Sequence, residues 1–209
     1  MKHERALSDR GFTLVELMVT LSLLSLVLGV TFAFLTGAQT QFGTARERAN
    51  IVTQARLGLE QMDREVRSGS VVRDPETESP ANYTLRVLTQ ANNLQRCVQW
   101  QVADGRLQRR HWTPSYGLTP DPGSVSQWRT VAESVINGQV GVLPFEAAIA
   151  TVGRVRAVRV VLVVDSRPGS SDTLPVRVEQ TLNARNTSFN FPQVSSQPGA
   201  STEPCNPLP

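Results

Sequence analysis

From Leu17 to Ala45 the chain carries no charged side chain, and a single acid, Glu16, stands at the head of that run. A helix needs about 20 apolar residues to cross the hydrocarbon core of a bilayer, and Phe12 to about Phe34 supplies them. Such a run is read either as a membrane-spanning helix or as the apolar part of a secretory signal. An acid inside a spanning segment costs on the order of 3 kcal/mol on insertion scales. An acid kept at that cost implies a function.

The residues around that acid are specific. Behind a short leader holding Lys2, Arg5 and Arg10 comes Gly11-Phe12-Thr13-Leu14-Val15-Glu16, opening the apolar run. This stretch resembles the processing and assembly signal of type IV pilins and type II secretion pseudopilins. The resemblance implies that a prepilin peptidase cuts between Gly11 and Phe12 and methylates the new amine of Phe12. It implies that Glu16, fifth in the mature chain, meets the N-terminal amine of a neighbouring subunit during assembly. The partners implied are the prepilin peptidase, other major and minor pilins, an inner-membrane assembly platform, and membrane lipid before assembly. The place implied is the inner membrane, crossed once, with the head in the periplasm or outside, and then a pilus or pseudopilus filament.

Two other readings stand beside this one. A secretory signal would be cut after the apolar region, where Thr36-Gly37-Ala38 offers small residues. A plain single-pass anchor would need no cut. Neither gives Glu16 a role. Charge leaves the orientation open, because Lys2, Arg5 and Arg10 on one flank face Arg46 and Arg48 on the other.

Beyond Gln41 the chain turns amphipathic, and no proline lies between Phe12 and Arg73. Val52, Ala55, Leu59, Met62 and Val66 step by three and four, which makes one apolar stripe on a helix. Glu60 with Arg64 and Asp63 with Arg67 are i,i+4 pairs in the favourable order, on a face read as solvated. A helix from Phe12 to about Arg67 would run roughly 80 Å at about 1.5 Å per residue. The stretch Leu57 to Arg67 also resembles the corresponding helix of PilW-type minor pilins and J-type pseudopilins.

The division expected is a leader at residues 1–11, an assembly helix at 12–35, its amphipathic continuation at 36–68, a loop at 69–81, a β-rich head at 82–186, and a flexible tail at 187–209. In the loop, Asp74, Glu76 and Glu78 lack a glycine-turned calcium loop and read as solvated acids. Strand patterns cover Tyr83 to Leu88, Cys97 to Val102, Arg106 to Trp112, Trp128 to Val135, Val155 to Val164 and Val176 to Leu182. Asp104-Gly105 between the second and third is a hairpin turn signal. The valine-rich run Val155 to Val164 reads as a central strand covered on both faces. Helix first and strands later is an α+β order, a long N-terminal helix packed on an antiparallel sheet. Tyr83, Trp100, Trp112 and Trp128 read as core or sheet-face residues. Asn183-Ala184-Arg185-Asn186 resembles the end of PilW-type heads. From Thr187 on, the polar composition is too poor in apolar residues to order itself. Cys97 and Cys205 are the two cysteines, and an exported chain often bridges such a pair.

No residue set for catalysis stands out. The histidines are His3 in the leader and His111 in a strand pattern. With two distant cysteines they make no metal cluster, and no cofactor is expected. No Gly-x-Ser-x-Gly elbow or phosphate loop occurs, and Lys2 is the sole lysine. The net charge of +3 is mild. One basic and aromatic set remains: Arg106, Arg109, Arg110, Trp112, Tyr116, Trp128 and Arg129. Arginine beside stacking rings suits a nucleic-acid strand. The reading is therefore a filament subunit of the minor kind and not an enzyme. A second reading is a DNA-binding tip module of a transformation pilus.

Overall fold

The structure is a computed structural model that describes residues 13–91, 94–114, 124–151, 154–170, 174–185 and Cys205. The chain divides into two compact units, Met1–Arg46 and Glu47–Pro209. Helix α1, Leu14–Arg67, contributes to both. In the first unit its apolar residues, from Leu14 through Leu35, are exposed. It is long and apolar enough to cross a membrane.

In the second unit the stripe read from the sequence is the buried face of α1. Ala55, Leu59, Met62 and Val66 join one core with residues of two sheets, but the first place in the stripe is taken by buried Ile51, with the expected Val52 only half-buried against it. The first sheet has the order β1-β2-β3-β4-β5, from Gly69–Val72, Thr84–Ala91, Leu94–Ala103, Arg106–Trp112 and Arg129–Ala132. The second runs β6-β7-β8, from Phe145–Thr151, Arg154–Val164 and Val176–Asn183. All pairings are antiparallel. The fold is the α+β arrangement of a long N-terminal helix followed by antiparallel sheets.

Strand alternation gives the first sheet two distinct faces. Leu85, Val87, Val98, Trp100, Val102 and Leu107 lie on the face that shares the core with α1. Contact there is close: a Cβ on Gly58 would sit 2.8 Å from Leu107 Cδ2, so glycine lets helix and sheet approach. On the outer face, Leu88, Cys97 and Trp112 form a second cluster with Cys205. Cys97 and Cys205 are joined by a disulfide across a sequence separation of 108. The β3–β4 hairpin turns through Asp104 at φ 50° and Gly105 at φ 71°, the left-handed pair its sequence called for. In the second sheet, β7 is central. Its Val158, Val160 and Leu162 enter the main core, while Val161 and Val163 pack with Ile136 and Val142 on the other side.

Several expectations change. The segment read as loop 69–81 opens with strand β1 and holds a 3₁₀ turn at Pro75–Thr77. The head has two sheets where one was expected. Strand β6 and the short helix α2, Asn137–Val140, lie outside the strand patterns expected from the sequence. The Trp128 to Val135 pattern shortens to β5, with Val135 making an isolated bridge to Val164. Asp63–Arg67 closes at 2.8 Å, whereas Glu60 and Arg64 form no ion pair among the described residues. Of the three acids read as solvated, Glu78 is buried. Its carboxylate accepts Arg86 Nη2 at 2.6 Å, because Arg86 points from β2 to the outer face and is itself covered there. The leader and the tail, apart from Cys205, lie outside the described residues.

Candidate functional site: the head of helix α1

Helix α1 begins with a built cap. Thr13 precedes the first helical residue, and its Oγ1 accepts the backbone N–H of Glu16 at 3.2 Å. Its carbonyl accepts the N–H of Leu17 at 3.1 Å. A threonine at this position satisfies one of the helix's orphan donors. Glu16 therefore lies in the first turn, where the helix dipole favours negative charge.

The apolar run is internally complete. Thr20, Ser22, Ser25, Thr31 and Thr36 are its hydroxyl residues as far as Thr36, and each donates to a backbone carbonyl one turn back. Examples are Ser22 to Met18 at 2.8 Å and Thr31 to Val27 at 2.7 Å. Nothing polar in that stretch needs a partner outside the helix except Glu16. Its side chain is exposed, and its carboxylate has no partner among the described residues. A lone charge in apolar surroundings is costly until it is paired. Gly11 and Phe12, the residues implied to flank the cut, lie outside the described residues.

Residues 7–32 match the prokaryotic N-terminal methylation motif. The match supports a type IV pilin-like family. It implies processing by a prepilin peptidase, assembly with other pilins and a membrane-anchored helix that later enters a filament, in a family whose role is structural. Comparison with curated proteins and with solved structures gives no match.

The basic and aromatic set of the second unit is divided by the pleat. Arg109 lies on the α1 side of β4. Its Nε donates to Glu65 Oε1 at 2.8 Å and its Nη2 lies 2.7 Å from the same oxygen. It also stands 6.0 Å from the Trp100 ring. Register places Arg129 beside Arg109. Arg106, Arg110 and Trp112 alternate onto the opposite, outer face. There Arg110 stacks 4.4 Å from the Trp128 ring centroid and 5.9 Å from that of Trp112. The four arginines thus do not make one surface. Tyr116 lies outside the described residues. His111 is half-buried in β4, with its pKa held below the ordinary value by burial, then by Arg109 and Arg96. Among the described residues no group of three or more His, Cys, Asp or Glu could hold a metal.

Glu65 is what the sequence reading missed. No sequence motif singles it out, yet it joins α1 to β3 and β4. The available signal was Arg109, a charged residue at an inward-facing strand position. A buried charge there requires a partner.

Proposed function

We propose that this chain is a minor pilin or pseudopilin subunit, held in the inner membrane with its head in the periplasm or outside. It is then drawn into a type IV pilus or related filament. The observation that carries the reading is Glu16: a single acid at the capped start of an apolar helix, without a partner among the described residues and inside the matched motif. Cleavage between Gly11 and Phe12 would create a positive amine four residues before the acid. In a bundle of such helices, the Phe12 amine of one subunit meets Glu16 of the next. Two opposite charges removed from water are tolerable together and costly apart. The pair therefore selects axial register between otherwise interchangeable apolar surfaces.

A minor role is favoured by the two-sheet head, larger than a bare pilin needs, and by the resemblance of Leu57 to Arg67 to PilW-type and J-type subunits. The test is Glu16→Ala in the full chain. We expect a normal shift on peptidase cleavage and loss of the subunit from sheared filaments. Normal incorporation of Glu16→Ala would refute the register role.

A further inference from the structure

On the outer face of the five-stranded sheet, register places Arg86, Gln99 and Arg110 in one row across β2, β3 and β4. Leu88, Cys97 and Trp112 form the next row, and that row is covered by Cys205. The two arginines of the first row are treated differently. Arg86 is buried and fully engaged: Nε and Nη2 donate to Glu78, and Nη1 donates to the Cys205 carbonyl at 2.6 Å. Arg73 shares the same Glu78 carboxylate at 3.4 Å. That acid is therefore taken.

Arg110 has no carboxylate among the described residues. Its Nε donates to Gln99 Oε1 at 2.7 Å, and its Cζ lies over the Trp128 ring at 4.4 Å and the Trp112 ring at 5.9 Å from their centroids. Burial, and then the nearby charge of Arg86, hold its pKa below the ordinary value. The charged form therefore lacks the stabilisation an anion would supply. Two residues further along the same face, the buried indole Nε1 of Trp112 has no acceptor among the described residues. Among the described residues, this face thus holds a guanidinium without a carboxylate and an indole donor without an acceptor.

We propose that Arg110, set beside Trp112 and Trp128, is a docking point for a carboxylate side chain of a neighbouring filament subunit. A planar guanidinium positioned through Nε leaves its two terminal nitrogens as a fork, which matches a carboxylate bidentately. Nucleic acid fits less well. Stacking of bases needs free aromatic faces, and here the guanidinium occupies the side of each ring turned toward it. The partner's identity as a subunit rests on the filament reading; the acidic chemistry rests on the site alone.

The experiment uses the full chain in detergent micelles with a hexaglutamate peptide as probe, reading the indole N–H signals of Trp112 and Trp128 by NMR. We expect a saturable shift of both signals that weakens with added salt, is lost in Arg110→Gln and is reduced in Arg110→Lys. Should the glutamine variant fail to fold, the lysine variant alone carries the comparison. No shift, a shift unchanged in either folded variant, or tighter binding of an oligothymidine than of hexaglutamate overturns the proposal. In cells, Arg110→Gln should be cleaved normally but appear less in filaments, and normal incorporation counts against the site. If wild type binds the peptide yet is absent from filaments, the filament reading fails and the acidic docking site stands.

Discussion

The Glu65 carboxylate accepts the indole N–H of Trp100 at 2.7 Å, across 35 residues of chain. Its other oxygen takes Arg109, so one helical acid ties the last turns of α1 to two neighbouring strands. Removing it leaves a largely covered guanidinium and a buried donor unpaired. We predict that Glu65→Ala destabilises the full chain by about 3 kcal/mol, the scale for breaking a buried pair from one side. Glu65→Gln keeps an acceptor and should cost about 1–2 kcal/mol. Denaturant unfolding in detergent checks both, and a Glu65→Ala midpoint equal to wild type would contradict the role assigned.

The Cys97–Cys205 bridge closes a loop with a sequence separation of 108. A closure of that length restricts the unfolded chain by about 4–5 kcal/mol in the chain-entropy model. It also holds the Cys205 carbonyl on Arg86. We predict that Cys97→Ser with Cys205→Ser lowers stability on that scale, and that reduced wild type behaves like the double variant. Unfolding curves with and without reductant measure this. Coincident curves would remove the bridge from the account.

His111 gives a pH dependence with a defined sign. Its folded pKa lies below the ordinary 6.5, chiefly through burial and then Arg109. Between the folded value and 6.5 the unfolded chain binds more protons, so stability rises with pH there and is lost as pH falls. We predict that His111→Gln flattens the unfolding midpoint in a pH series descending from 6.5. An unchanged slope would show that His111 does not contribute it.

What was legible in the sequence follows from what periodicity reports. A step of three and four fixed which side of α1 is buried, because a helix with one apolar stripe has one way to hide it. Asp104-Gly105 marked its hairpin because both residues tolerate positive φ. The run Val155 to Val164 is apolar at successive positions, as a strand packed on both sides must be.

Alternation tells which face a residue takes but not which strand lies beside it, so the division into two sheets was hidden. Strand β6 was hidden too, since Phe145-Glu146-Ala147-Ala148-Ile149-Ala150-Thr151 is rich in alanine, a residue depleted in strands. Glu65 and Glu78 look like solvated acids in one dimension. Their burial comes from arginines 44 and 8 residues away. At the head of α1 the balance is reversed: the signal is local, and the six consecutive residues from Gly11 to Glu16 carry the proposed reading.

The central claim is that the chain is trimmed to Phe12 and assembled through the pairing of that new amine with Glu16. Mass spectrometry of the N-terminal peptide, from cells with a working maturation system, tests it most directly. The account predicts a mature product beginning at N-methylated Phe12. A mature product that still carries Met1 would contradict it.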